Sequence, residues 1–359
     1  MAGRCSFRLC RVVAGLASVI RIDAVWLCIE PMDMRADTDT ALARVVQVFG
    51  SARPHHAYVF ANKRSTRLKV LAHDASASGC QRAACTKAGS SGRVQVSGSF
   101  KARGVFNRLL SNPLPRSGVI VASGGNAGIA TAFAANALNV RAEVYVPALI
   151  TPAKRRRLEN LGAKVVIGGE TYAEAFVACQ ARQLDTAALM THAYDQFEVV
   201  LGASVLAQEI ERQAGKAPDS LLVSVGGGGL IGGIAAWFAQ RSRIVALEPE
   251  LAATLHQSRK AGVPVDVSVG GIAADALGSR RIGDIAWQLA RRHVDQSLLL
   301  SDELIRDTQL YMWRALQLAV EAAAAMPLAA LRGGVVRPRN GERVCLIICG
   351  GNVDPASLS

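Results

Sequence analysis

Several features are missing from this sequence or scarce in it, and each absence narrows what the chain can be. There is no Cys-x-x-Cys pair, no zinc-ligand spacing and no evenly spaced cysteine set. Five of the eight cysteines (Cys5, Cys10, Cys28, Cys80, Cys85) precede residue 97, and Cys179, Cys345 and Cys349 follow. A disulfide-framed secreted scaffold is thereby excluded, and the main body reads as reduced and cytoplasmic. No uncharged apolar run of about 18 residues occurs, so no membrane span is expected. Acidic residues are few, 28 against 41 Lys+Arg, a net charge of +13. Most of that excess sits early: residues 1–96 carry 14 Lys+Arg and 6 Asp+Glu, and the remainder 27 and 22. No aromatic-studded basic strand accompanies it, so a nucleic-acid partner is not expected. Aromatics are only 5% of the chain, whereas glycine numbers 33 and half the residues are hydrophobic. That balance suits an α/β protein in which small residues let helices lie close on parallel sheets.

The first 93 residues stand apart. Arg4, Arg8 and Arg11 lead an apolar run from Val12 to Ile20, which is short for a secretory signal and lacks a small-residue cleavage site. From Met32 to Arg93 periodicity is poor apart from a helical pattern over Thr38 to Val48. This atypical segment is either a loosely structured extension or a stretch outside the native reading frame of its gene.

After Val94 strands and helices alternate. Gly118 to Ala122 reads as a buried strand running into Ser123-Gly124-Gly125-Asn126-Ala127-Gly128 and an Ala-rich helix to Ala137. Strands are expected at Ala142 to Val146, Ala163 to Ile167 and Ala188 to Thr191, with helices after Thr151-Pro152 and from Thr171 to Arg182. The alternation continues through helix Glu198 to Gln213, strand Ser220 to Val225, a helix through Phe238, strand Arg243 to Glu248 and helix Pro249 to Ala261. It closes with one long helix over about Asp302 to Ala325, capped by Ser301, and strand Val344 to Ile348. This is a doubly wound α/β pattern.

Chemistry gathers at the strand ends. Lys101 sits in Ser97-Gly98-Ser99-Phe100-Lys101-Ala102-Arg103-Gly104, beside an aromatic ring and at a helix start. Such a lysine, partly desolvated, has a lowered pKa and a free amine able to attack a carbonyl; most lysines so placed are solvated surface charges. Gly226, Gly227, Gly228 and Gly229 follow a strand and open a helix, where backbone amides and the helix dipole suit a phosphate. The run alone specifies neither a dinucleotide nor a nucleoside triphosphate, and Glu248, 19 positions after Gly229, leaves a nucleotide reading open on spacing. The Ser123 to Gly128 turn can receive a carboxylate while Asn126 donates to an oxygen, or Asn126 can cap its own helix.

Taken in order, the lysine segment, the Ser123 to Gly128 turn, Gly226 to Leu230, Leu247-Glu248-Pro249 and Cys349-Gly350-Gly351-Asn352 resemble the serine/threonine dehydratases of the fold type II pyridoxal-phosphate enzymes. The resemblance spans about Val94 to Asp354. It implies the tryptophan synthase β-like fold: a large cofactor-binding domain from 94–119 and 193–359, a small domain from 120–192, and an irregular N-terminal extension. It further implies that Lys101 forms the Schiff base with pyridoxal phosphate, that Phe100 and Ala276 flank the ring, and that Gly226 to Gly229 hold the phosphate. Asn126 would contact the ring hydroxyl, Cys349 the pyridine nitrogen, and Ser123, Gly124 and Ala127 the substrate carboxylate. The implied activity is α,β-elimination from L-threonine or L-serine to a 2-oxo acid and ammonia, in a homodimer. The alternatives are an impaired cofactor-binding paralogue or a related racemase. Gly124 stands where related racemases carry a serine, and Thr254 where their metal site needs an acid, so elimination and no bound metal are expected. Glu321 matches a family glutamate near the amino-acid site.

Overall fold

The computed structural model describes residues 97–358 continuously and, ahead of them, the backbone of five separate elements. These are β1 (Ala24–Cys28), α1 (Thr38–Phe49), β2 (His56–Ala61), β3 (Arg67–His73) and β4 (Ala83–Lys87). The strands form a sheet in the order β1-β2-β3-β4, with β1 parallel to β2 and the later pairs antiparallel. Helix α1 coincides with the helical pattern read at residues 38–48. The arginine-led opening and Val94 to Val96 lie outside the described residues.

Helix α2 (Lys101–Leu110) begins the body. Strands β5 (Val119–Ala122), β6 (Ala142–Val146), β7 (Lys164–Ile167) and β8 (Leu189–Thr191) make a parallel sheet in the order β7-β6-β5-β8. Its helices are α3 (Asn126–Ala137), α4 (Pro152–Asn160) and α5 (Tyr172–Thr186). Their starts are written locally: the Thr151 hydroxyl accepts from Lys154 N with Pro152 in the first turn, and the Thr171 hydroxyl accepts from Glu174 N. Alternation along β5 sends Val119 and Val121 to one core with Ala130 and Ala134 of α3. Ile120 and Ala122 go to the other, with Ala175 and Cys179 of α5.

The second sheet follows α6 (Phe197–Ala214). It comprises β9 (Ser220–Ser224), β10 (Arg243–Pro249), β11 (Gln296–Leu300) and β12 (Val344–Leu346), parallel in the order β11-β10-β9-β12. Around it lie α7 (Gly229–Phe238), α8 (Thr254–Ala261), α9 (Ala274–Leu277), α10 (Asp284–His293), α11 (Asp302–Leu316) and α12 (Ala322–Arg332). Both faces are again covered, Leu221 and Val223 facing one core and Leu222 the other. Two parallel sheets wrapped in helices agree with the fold class read from the sequence.

One expected element is corrected. The single helix over Asp302 to Ala325 is two, α11 and α12, separated where Gln317 takes a left-handed conformation with φ of 56°. The chain turns without glycine or proline because Gln309 Nε2 donates to Val320 O at 2.9 Å and fixes the connection. Ser301 does cap α11, its hydroxyl accepting from Leu304 N at 3.3 Å. Strand β10 runs through Pro249, so the helix read as Pro249 to Ala261 begins only at Thr254.

Helix α2 belongs to both halves. Val105 and Leu109 enter the small-sheet core, while Gly104 meets α6: a Cβ there would lie 2.7 Å from Val199 O. Gly202 returns the contact, since a Cβ on it would lie 2.6 Å from Gly104 Cα. The absence of two side chains brings the backbones of α2 and α6 together and places Lys101 between the sheets.

Candidate active site

Lys101 begins α2, with no side-chain cap ahead of it, at the end of a segment paired to the C-terminal motif. Phe100 N donates to Cys349 O at 3.0 Å, Ser99 forms an antiparallel bridge with Gly350, and Gly351 N donates to Gly98 O at 2.9 Å. Asn352 Nδ2 donates to Ser97 O at 2.9 Å. Gly98 has a φ of 77°, and a side chain on it would run into the Asn352 amide, so the pairing needs glycine there. The two motifs, some 250 positions apart, form one structural unit.

The Lys101 amine is buried and donates to Ala193 O at 2.6 Å, with Nζ 5.0 Å from the Phe100 ring centroid. Burial pulls its pKa down to about 8, against the opposing influence of Cys349 and Glu321. The expectation of a desolvated, lowered-pKa lysine is met. Cys349 packs between the cores on both faces of the large sheet, and burial pushes its thiol up to about 12, helped by Glu321. It is therefore a neutral thiol across the ordinary pH range.

The residue after the lysine's acceptor links it to the glycine run. A side chain on Gly227 would strike the Tyr194 ring, and one on Gly229 would come 3.1 Å from Tyr194 Cα. Gly228 caps α7 with a φ of 92°, and no side chain caps that helix end. Neighbouring Asp195 accepts from Asp284 N and Ile285 N, both at 3.1 Å, and so caps α10, while His192 Nδ1 accepts from Asp195 N at 2.9 Å. These two polar residues hold the 192–195 connection in shape.

The Ser123 to Gly128 turn joins the same corner. Ser123 Oγ accepts from Gly125 N at 3.3 Å, and a Cβ on Gly124 would meet Ile150 Cδ1 at 3.3 Å and Val146 Cγ1 at 3.5 Å. Asn126 does not cap α3. Its Nδ2 donates to Glu321 Oε1 and Oε2 at 2.8 and 2.9 Å, and its Oδ1 accepts from Asn352 Nδ2 at 2.6 Å. Glu321, at the N-terminus of α12, is held up in pKa chiefly by burial, opposed by Asn126 and Arg157. Arg157 Nη2 donates to Asn352 Oδ1 at 2.6 Å, and Lys154 Nζ reaches Asp275 Oδ1 at 2.7 Å. Two cations of α4 thus touch the other half of the molecule, the second beside Ala276 on α9. The parts played here by Arg157 and Tyr194 were not visible in the sequence, whereas Asn352 was visible only as the end of the C-terminal motif.

This corner suits a cofactor carrying a carbonyl and a phosphate. It offers a buried amine of lowered pKa, a glycine run that opens a helix and cannot accept side chains, and a neutral thiol. The buried Ser99 hydroxyl, two residues from Lys101, has no hydrogen-bond partner among the described residues.

A wrapped pair of parallel sheets with such a lysine defines a class, and comparison with known proteins agrees. Residues 93–350 match the family described as pyridoxal-phosphate dependent enzyme, and the chain belongs to that family. Among curated relatives, phenylserine dehydratase of Ralstonia pickettii is 33% identical over 271 residues, covering 74% of this chain and 82% of its own. L-threonine ammonia-lyase of Geobacter sulfurreducens is 34% identical over 273 residues, covering 74% of this chain and 67% of its own. Among solved structures, a threonine deaminase from T.th. superposes with a TM-score of 0.66 at 30% identity, covering 71% of this chain and 84% of its own. Maize serine racemase does so with 0.68 at 28%, covering 73% and 82%. Residues 23–80 match a second family, described as IS66 Orf2 like protein. No helix among the described residues is long and apolar enough to cross a membrane.

Proposed function

We propose that this protein is a pyridoxal-phosphate-dependent ammonia-lyase that acts on L-threonine or L-serine, giving a 2-oxo acid and ammonia. The observation that carries the reading is the Lys101 amine, buried against Ala193 O and joined through Tyr194 to the glycine run. When bound, the cofactor supplies an electron-withdrawing ring that stabilises negative charge at the substrate Cα.

The chain's residues do the rest. Lys101, pulled down to about 8, is neutral in about a tenth of molecules at pH 7, and in that form can accept the α-proton at Nζ. The open amides of Gly226 to Gly229 would take the cofactor phosphate, and Phe100 and Ala276 would pack on the ring. Cys349, kept protonated, would face the ring nitrogen without the anion that would hold a proton there. Ser123, Gly124 and Ala127 would orient the substrate carboxylate. Asn126 would reach the ring hydroxyl by giving up one of its bonds to Glu321. The reading includes a cytoplasmic homodimer.

Elimination is favoured over racemisation by Gly124. Glycine carries no side chain that could deliver a proton, and its neighbours there, Ile150 and Val146, are hydrocarbon. Incubation with L-threonine, L-serine and 3-phenylserine tests this: 2-oxo acid and ammonia should form in equal amounts from at least one of them. Interconversion of enantiomers without ammonia would contradict it.

A further inference from the structure

Four successive glycines have little conformational preference of their own, so the Gly226 to Gly229 run must be shaped from outside. Its carbonyls show how. Gly226 O accepts from Thr254 Oγ1 at 2.6 Å, Gly227 O from Gly283 N at 3.0 Å, and Gly228 O from Gly232 N at 2.8 Å. In a planar trans peptide the carbonyl of one residue and the N–H of the next point to opposite sides. Anchoring these three carbonyls therefore turns the N–H groups of Gly227, Gly228 and Gly229 the other way. Gly228 is the N-cap of α7 and Gly229 its first residue, so these amides lie at a helix N-terminus, where the dipole favours an anion.

Two of the anchors are backbone amides that almost any sequence would supply. The third is a side chain, completely buried, and the sequence weighed it only as a place where an acid is missing. Glu248 holds it. That carboxyl, also fully buried, accepts from Leu255 N at 2.7 Å, His256 N at 2.8 Å and Ser297 Oγ at 3.1 Å, and lies 3.2 Å from Thr254 Oγ1. A threonine hydroxyl has one proton, and the shorter contact, to Gly226 O, claims it. The 3.2 Å approach to Glu248 Oε1 is the longer of the two contacts and keeps the Thr254 side chain in place.

We infer that Thr254, fixed by Glu248, is a positioning residue for the phosphate of the cofactor, setting the direction of the Gly227 amide through the Gly226 carbonyl. The inference rests on the proposed function, which places pyridoxal phosphate at this run. It assigns to a hydroxyl the task of shaping the glycine turn.

The test titrates the full-length protein, freed of cofactor, with pyridoxal phosphate and separately with pyridoxal, which lacks the phosphate. Thr254→Val should weaken pyridoxal phosphate about ten-fold, in keeping with one lost hydrogen bond that leaves a buried carbonyl unsatisfied, and leave pyridoxal unchanged. Thr254→Ser should return to within about two-fold of wild type. Thr254→Ala carries the same expectation where the valine variant does not fold. Equal weakening of both ligands would mean a general structural role and overturn the inference, as would no weakening of either. A wild-type protein that binds neither ligand would bring down the proposed function, and this inference with it.

Discussion

At the scale of single residues, burial sets the chemistry. Lys101 and Glu248 lie in the same kind of interior, and desolvation moves each toward its neutral form: the amine down to about 8, the carboxyl up to about 7. For Glu248 the linkage has a definite sign. The folded protein holds this proton more tightly than the unfolded chain, whose ordinary value is 4.5. The stabilisation is therefore complete below about pH 4.5 and is lost as pH rises toward 7, by about 3 kcal/mol at the outside. Unfolding followed across pH 5 to 8 should show Glu248→Gln losing less stability over that range than wild type. Parallel slopes would mean that Glu248 does not titrate there. Lys101 and the glycines were legible because they sat together at strand ends that open helices, and Cys349 through the ordered motifs of the resemblance. Thr254 was not, since its partner, a backbone carbonyl 28 positions away, carries no sequence signature.

At the scale of elements, the site depends on how closely two helices approach. Gly104 and Gly202 face one another across α2 and α6, and a Cβ on Gly202 would lie 2.6 Å from Gly104 Cα, with backbone rather than a flexible side chain in its path. Gly202→Ala should therefore cost about 1–3 kcal/mol of stability by overpacking and lower kcat by shifting α2 and Lys101. Gly215→Ala, at the open end of α6, should cost about 1 kcal/mol through its left-handed backbone and leave kcat alone. Equal effects on kcat would show that helix spacing does not set the lysine's position. Periodicity found most of these elements because their apolar faces repeat. It missed the break at Gln317, where the turn is made by a residue with no turn signature and held by a distant glutamine. That break is what delivers Glu321 to Asn126, a pairing that one unbroken helix does not predict.

At the scale of the whole molecule, two parallel sheets share one lysine helix and meet again through side chains of α4. Lys154–Asp275 and Arg157–Asn352 are partly exposed, so each contributes little to stability, on the order of 1 kcal/mol or less. They reach from one half to the other beside Ala276 and at the Asn352 of the C-terminal motif. The first 93 residues differ from the body in periodicity and charge. The body that follows contains every residue assigned to the proposed reaction. The central claim is that Lys101 joins the cofactor and moves the proton, and one comparison tests it: the full-length wild type against Lys101→Ala, each supplied with pyridoxal phosphate and L-threonine or L-serine. The account predicts a visible absorbance band of lysine-bound cofactor and 2-oxo acid formation in the wild type, with both lost in the variant, activity falling by at least about a thousand-fold. Equal turnover by the two proteins would contradict it.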